Sequence, residues 1–270
     1  MNTTSGGSEH SHRPDTASSL ASAASATQIV TRETHTELDS GPEDLQWCEQ
    51  LPDQPGLPSG FQQLTDQDYL NVRTTLESRE MCCGAGMNYH VLNEQGELVY
   101  TVSEDTTMFC RHICGPHRSM FLSVFNESGK IVALFVKPWR CDACWIPCWW
   151  HKIMLQTPED HFVGWIRQRF AIGDAQMDIQ DETDETVYQI KEGPTFAMRC
   201  STSFTYGIYN EDGDSADGEI TKFDAKHEDF PINMSHEDFL VRFPEDANEK
   251  EKMLILGAAF MLNFMYFEIT

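Results

Sequence analysis

The sequence predicts a mainly β fold followed by one helix that is hydrophobic all round. Two observations carry this prediction. A turn tetrapeptide, Asn-Glu-x-Gly, recurs between β-branched and aromatic runs at Asn93–Gly96, Asn126–Gly129 and Asn210–Gly213. Near the C-terminus, residues 253–267 read MLILGAAFMLNFMYF, with Asn263 as the one strongly polar side chain. Asn tolerates left-handed backbone angles and Gly adopts them freely, so the tetrapeptide is a hairpin signal. Its threefold recurrence points to an internally repetitive all-β architecture.

Taken in order, residues 1–46 are rich in Ser, Thr, Ala and Gly and poor in aromatics, the composition of a disordered tail. They show no signal-peptide core, which predicts a reducing compartment and nine cysteines without a disulfide framework. Residues 47–76 form a linker and docking segment: Pro52, Pro55 and Pro58 favour extended chain, and Leu64, Tyr69, Leu70, Val72 and Leu76 stand at roughly helical spacing. The main domain is expected over residues 77–270. Within it lie hairpins at 89–102, 121–136 and 206–220, and a fourth without Gly at 177–190. The strands alternate imperfectly, as they do when buried on both faces or closed into a barrel.

The C-terminal helix contains Leu254, Ile255, Leu256, Phe260, Met261 and Phe264, so it must be buried. Acidic residues in the lead-in 245–252 suit a helix start. A bilayer core of ~30 Å needs ~20 apolar residues, whereas fifteen cover only ~22 Å. A helix enclosed by protein is therefore preferred to one spanning lipid, and Gly257, Ala258 and Ala259 would let strands approach it.

Net charge is −24, against a general nucleic-acid binder. Residues 1–70 carry 11 acidic and 2 basic side chains, but residues 101–170 carry 6 and 8. The middle stretch is thus the part suited to an anionic lipid surface. It includes Cys141, Cys144 and Cys148 among Trp139, Trp145, Trp149 and Trp150, flanked by Arg140 and Lys152. Three readings stand side by side: interfacial aromatics and cations with thioacylated cysteines, a zinc site completed by His151, or a buried loop. Cys110, His112, Cys114 and His117 also look like ligands, but their short spacing around Gly115-Pro116 suggests a structural loop. In 233–246, Ser235, Glu237, Asp238, Glu245 and Asp246 supply oxygen donors over the span of a calcium loop, though without an EF-hand pattern. A solvated acidic turn fits that spacing equally well. No nucleophile elbow, phosphate-binding Gly loop or zinc-protease helix is present.

The hairpins, CRHICGPHRSMFLSVFNESGKIV, CDACWIPC, SHEDFLVRFPED and MLILGAAFMLNFMYFE, in this order, resemble the phospholipid scramblases from about Leu57 to Glu268. The resemblance implies a Tubby-like closed twelve-stranded β-barrel around a hydrophobic C-terminal helix. It also implies calcium-triggered, ATP-independent movement of phospholipids between leaflets, without covalent chemistry, at the cytoplasmic face of the plasma membrane. The alternative is a Tubby-like module that binds lipid or protein at membranes and translocates nothing. The family's palmitoylation segment is matched by Cys144 and Cys148, with Cys141 just upstream, but Trp145, Ile146 and Trp149 replace further cysteines. Its calcium motif falls on Ser235, Glu237, Asp238, Phe239, Phe243 and Asp246, with Ser235 where the family has Asp. Loss of that carboxylate should weaken the affinity for Ca2+.

Overall fold

The computed structural model describes residues 45–74, 87–105, 119–139, 150–169, 175–192, 203–210, 213, 216–223 and 239–267. They form a closed barrel of twelve antiparallel strands: β1 (Tyr69–Thr74), β2 (Asn88–Leu92), β3 (Leu98–Asp105), β4 (Met120–Phe125), β5 (Ile131–Lys137), β6 (Lys152–Gln156), β7 (Phe162–Gln168), β8 (Gln176–Gln180), β9 (Thr186–Glu192), β10 (Ser203–Asn210), β11 (Gly218–Phe223) and β12 (Phe239–Arg242). Each strand pairs with its sequence neighbours, and β12 closes on β1 with Tyr69 opposite Arg242 and Val72 opposite Phe239. Closure removes both sheet edges.

Four hairpins share one turn, and its chemistry explains the repeat. In each, the fourth turn residue donates its N–H to the first residue's carbonyl, and the first residue's N–H reaches the residue four beyond: Asn93, Asn126, Thr157 and Asp181 are the first residues. A side-chain oxygen on that first residue also accepts a backbone N–H, as in Asn93 Oδ1 from Glu97 at 2.8 Å and Asp181 Oδ1 from Glu185 at 3.1 Å. The fourth position is left-handed in all four, with φ of 79° at Gly96, 70° at Gly129, 60° at Asp160 and 64° at Asp184. A register shift follows on the strand before each turn, as a bulged hairpin requires. The required features are thus an oxygen at the first position and tolerance of the left-handed region at the fourth. Asn210–Gly213 keeps only the 3.2 Å bond from Gly213 N to Asn210 O, and the next strand starts five residues on, at Gly218.

The helix α1 (Glu249–Leu262) threads the barrel and ends in a π-helical turn, Asn263–Phe267. Asn248 caps it: its Oδ1 accepts the Glu251 N–H at 3.0 Å, and Glu251 Oε2 accepts the Asn248 N–H at 2.9 Å. Leu254, Ile255, Leu256, Phe260, Met261 and Phe264 are all buried against the inward rows of the strands. Gly257 is what permits this fit, because a methyl there would overlap the Phe135 ring and come within 2.8 Å of Ile166 Cδ1. Asn263, buried, donates from Nδ2 to Tyr89 Oη at 3.3 Å, and Tyr89 in turn packs on Phe260 with centroids 5.1 Å apart. No helix among the described residues is long and apolar enough to cross a membrane.

The segment before β1 is neither a free linker nor a helix. Trp47 bridges Leu98, the 3-10 turn Phe61–Leu64 is wholly buried, and Tyr100 Oη donates to Gly60 O at 2.6 Å. Residues 69–74 form a strand because Leu70 and Val72 alternate inward with period two, a pattern their apparent helical spacing conceals. The barrel therefore starts at Tyr69, ahead of the boundary expected at residue 77. The tail 1–44 lies outside the described residues.

Candidate lipid-contact face and calcium segment

Antiparallel closure sorts the connections between two rims. The turns β2–β3, β4–β5, β6–β7, β8–β9 and β10–β11 lie at one rim; the longer connections β1–β2, β3–β4, β5–β6, β7–β8, β9–β10 and β11–β12 leave from the other. The helix starts at the short-turn rim, where Lys250 Nζ lies 3.4 Å from Glu182 Oε2, and ends at the long-connection rim, where Phe267 packs on Phe204 and Phe239.

Among the described residues the two rims differ in charge. The short-turn rim holds Glu94, Glu127, Glu159, Glu182, Asp217 and Asp246 among others, and its acidity is dense enough to be felt locally. Burial, and then Glu251, Asp246 and Asp217, push the Tyr188 hydroxyl up to about 12. Burial likewise raises the Glu251 carboxyl. Among the described residues, the strand ends at the other rim carry Arg73, Lys152, Arg169, Lys191 and the buried Lys137 and Lys222, against Glu104, Asp105, Asp178 and Glu192, while the Arg167 guanidinium reaches back to Asp184 of the β8–β9 turn at 3.0 Å. Here burial raises the Asp178 carboxyl while Arg169, 3.4 Å away, and Lys191 pull it down.

Three of the residues that sequence reasoning assigned to membrane contact are described, and all three lie at the long-connection rim. Trp139 follows β5 and is 62% exposed, while Trp150 and Lys152 lead into β6 and are half-buried. The structure joins to them two residues that the sequence reading missed. The Lys152 ammonium sits 4.1 Å from the centroid of Trp165, whose ring also meets the Arg167 guanidinium at 5.4 Å. Trp165 and Arg167 alternate along β7 with Arg169 just past its end, so a period-two count over GWIRQR puts them on one outward face. Cationic groups held over an indole are the pairing that suits a headgroup–hydrocarbon boundary. Arg140, Cys141, Cys144, Trp145, Cys148 and Trp149 lie outside the described residues. So do Cys110, His112, Cys114 and His117. His151, the fourth ligand of the zinc reading, is buried, with its backbone bonded to Gln168.

The calcium segment is divided by β12. Phe239 and Phe243 are core side chains at 2% and 4% exposure. Between them the strand is held by β1 and β11, and at ~3.3 Å per residue it separates its ends by ~13 Å. Asp246 stands past the far end, among the acids of the short-turn rim. Among the described members of the six positions, Asp246 alone offers a side-chain oxygen to a cation. Ser235, Glu237 and Asp238 lie outside the described residues. Among the described residues no group of three His, Cys, Asp or Glu side chains is arranged to hold a metal.

Comparison with known proteins agrees with this architecture. The chain is 31% identical over 218 residues to phospholipid scramblase 2 of Bos taurus, covering 79% of this chain and 73% of that protein. To phospholipid scramblase 1 of Rattus norvegicus it is 30% identical over 234 residues, covering 85% and 69%. To the Homo sapiens phospholipid scramblase 1 it is 30% identical over 223 residues, covering 80% and 69%. No solved structure matches it. The family model described as Scramblase matches residues 49–269, the barrel together with the segment that seals it and the helix that fills it, and the chain belongs to that family.

Proposed function

We propose that this protein is a calcium-responsive phospholipid scramblase that works without ATP at the cytoplasmic face of the plasma membrane. The observation that carries the reading is the exposed Trp139 after β5 together with the Lys152 ammonium held over the Trp165 ring at the start of β6, both at the long-connection rim. A cation over an indole suits the headgroup–hydrocarbon boundary, and anionic lipid repels the acidic short-turn rim. Thioacyl chains on Cys141, Cys144 and Cys148 would supply the second anchoring signal that stable membrane attachment needs. Calcium is assigned to Ser235, Glu237 and Asp238, which precede β12 in the sequence. A divalent ion held by these oxygens would neutralise acidic charge and ease approach to anionic lipid. No covalent bond changes in such a process.

Because α1 fills the barrel, headgroups move past its outside rather than through its interior. That same filled core gives weight to a second reading, a lipid-binding module without translocation. Liposomes carrying a fluorescent lipid in both leaflets, treated with dithionite, separate the two. Scrambling makes the inner-leaflet probe accessible when calcium is added, without leakage of an encapsulated dye. Calcium-dependent binding with the inner probe still protected identifies the module instead.

A further inference from the structure

The outward row of an antiparallel sheet that meets water is ordinarily polar. From β8 through β12 and on to β3, polar outward pairs recur: Asp178 opposite Gln189, Thr205 opposite Thr221, and Glu219 opposite Arg242. Strands β4 to β7 break the rule. Phe135 packs on Phe260 of α1, and Ile166 Cδ1 lies against Gly257, so Val136 and Trp165 beside them point outward. Pairing then runs one apolar row straight across the four strands. Phe121 stands opposite Val136, Val136 opposite Met154, and Met154 opposite Trp165. The row turns polar on both flanks, at Asp105 of β3 and Gln180 of β8. Met154 is buried at 8%, yet it stands outside the core cluster around α1. The Phe162 ring widens the row, with its centroid 5.4 Å from that of Trp165.

Charge indicates what this wall fits. Strands β4 to β7 contain no Asp or Glu, and their charged side chains are Lys137, Lys152 and Arg167. Residues 120–168, these strands with the connections between them, carry 4 acidic and 5 basic side chains in a chain of 43 and 19. Lys152 and Arg167 face each other directly beside the apolar row, a like-charge pairing that costs stability in a sheet. Asp184 offsets part of that cost at Arg167. Both cations also share the Trp165 ring, an arrangement suited to a headgroup–hydrocarbon boundary. Trp139, 62% exposed, follows the strand that carries Val136.

From the row and its charge we infer that the outer wall of β4 to β7 lies against an anionic phospholipid bilayer. The apolar row meets the upper acyl region, and Lys152 and Arg167 meet the phosphates. This rests on the membrane reading above and adds to it the side of the barrel that makes the contact. The test uses the full chain with calcium and vesicles of phosphatidylserine and phosphatidylcholine. A photoreactive benzoylphenylalanine is placed singly at Phe121, Val136, Thr205 or Arg242, the last two pointing outward from β10 and β12. Cross-links to lipid are expected from 121 and 136 and not from 205 or 242. Lys152→Gln should lower vesicle binding roughly five-fold, whereas Lys191→Gln, on the outer face of β9, should leave it unchanged. Absence of lipid cross-links from 121 or 136, their presence at 205 or 242, or equal losses from the two lysine variants would overturn the wall while membrane binding itself stands. Failure of the protein to sediment with these vesicles would sink both.

Discussion

Lys252→Met isolates the contact that seals the short-turn end of the barrel. Lys252 lies in the first turns of α1, the end of a helix where a cation is disfavoured. It is 7% exposed, and its ammonium donates to three backbone carbonyls, Leu64 O at 3.0 Å, Thr65 O at 3.2 Å and Gln67 O at 2.9 Å. These belong to the end of the 3-10 turn and the loop into β1, so one helix caps the other. Burial holds the Lys252 ammonium below the usual lysine range, with Asp68, Glu249 and Asp66 opposing that shift. The charged form is thus costly, but removing it takes the donor from Thr65 O and Gln67 O and one of two donors from Leu64 O, which keeps the Gln67 N–H at 3.3 Å. Buried acceptors left unpaired cost ~1–3 kcal/mol each, so the loss should be about 3–5 kcal/mol, a large share of the ~5–15 kcal/mol that holds a domain folded. With a urea m-value near ~3 kcal/mol/M, the midpoint should fall by roughly 1–1.5 M. Lys250→Met is the control: its pair with Glu182 is solvent-exposed and worth about 1 kcal/mol or less. Equal midpoints for the Lys252 and Lys250 variants, with unchanged m, would refute the sealing role.

Three further outcomes follow from the same geometry. Tyr188, raised to about 12 in the fold against 10 when unfolded, loses its proton first in the unfolded chain, so stability should hold below pH 10 and fall between ~10 and ~12. Tyr188→Phe should flatten that fall by on the order of 1 kcal/mol; alkaline urea titrations of both proteins read the difference. Gly129→Ala should destabilise by ~1 kcal/mol, because φ is 70° while a methyl would meet nothing within 4 Å, leaving the backbone term alone. Thermal melts showing no loss would discount the left-handed turn as a determinant. For calcium, Glu237→Ala should abolish the calorimetric heat of binding and Asp246→Ala should preserve it; equal losses would put the two ends of β12 in one site after all.

The fold was legible where its requirements are local. The turns at Asn93, Asn126 and Asp181 announce themselves because Asn or Asp followed by Gly or Asp is a short list of residues with a specific backbone reason. Thr157–Asp160 meets the same requirements through a hydroxyl and a left-handed Asp, a chemistry that the Asn-Glu-x-Gly pattern does not spell out. The helix was legible because an unbroken apolar run admits few solutions, and its length favoured enclosure. β1 was misread because Leu64, Leu70 and Val72 satisfy a helical spacing by accident; Leu64 belongs to the preceding 3-10 turn.

The candidate face was legible only as a list of residue types. Tryptophan, arginine and lysine near residues 139–152 were readable as interfacial chemistry, but the partners supplied by β7 depend on register, which places Lys152 opposite Arg167 and Met154 opposite Trp165. The calcium segment shows the converse. Phe239 and Phe243 lie close to acidic residues in sequence, yet both side chains turn into the core, and spacing alone does not tell oxygen donors from core positions. Polarity of the whole barrel is further still from sequence. Its acidic turns are spread along the chain, and they gather at one end only because antiparallel strands deliver every second connection to the same rim. A charge pattern that looks scattered in one dimension becomes one acidic end in three, and anionic lipid repels that end.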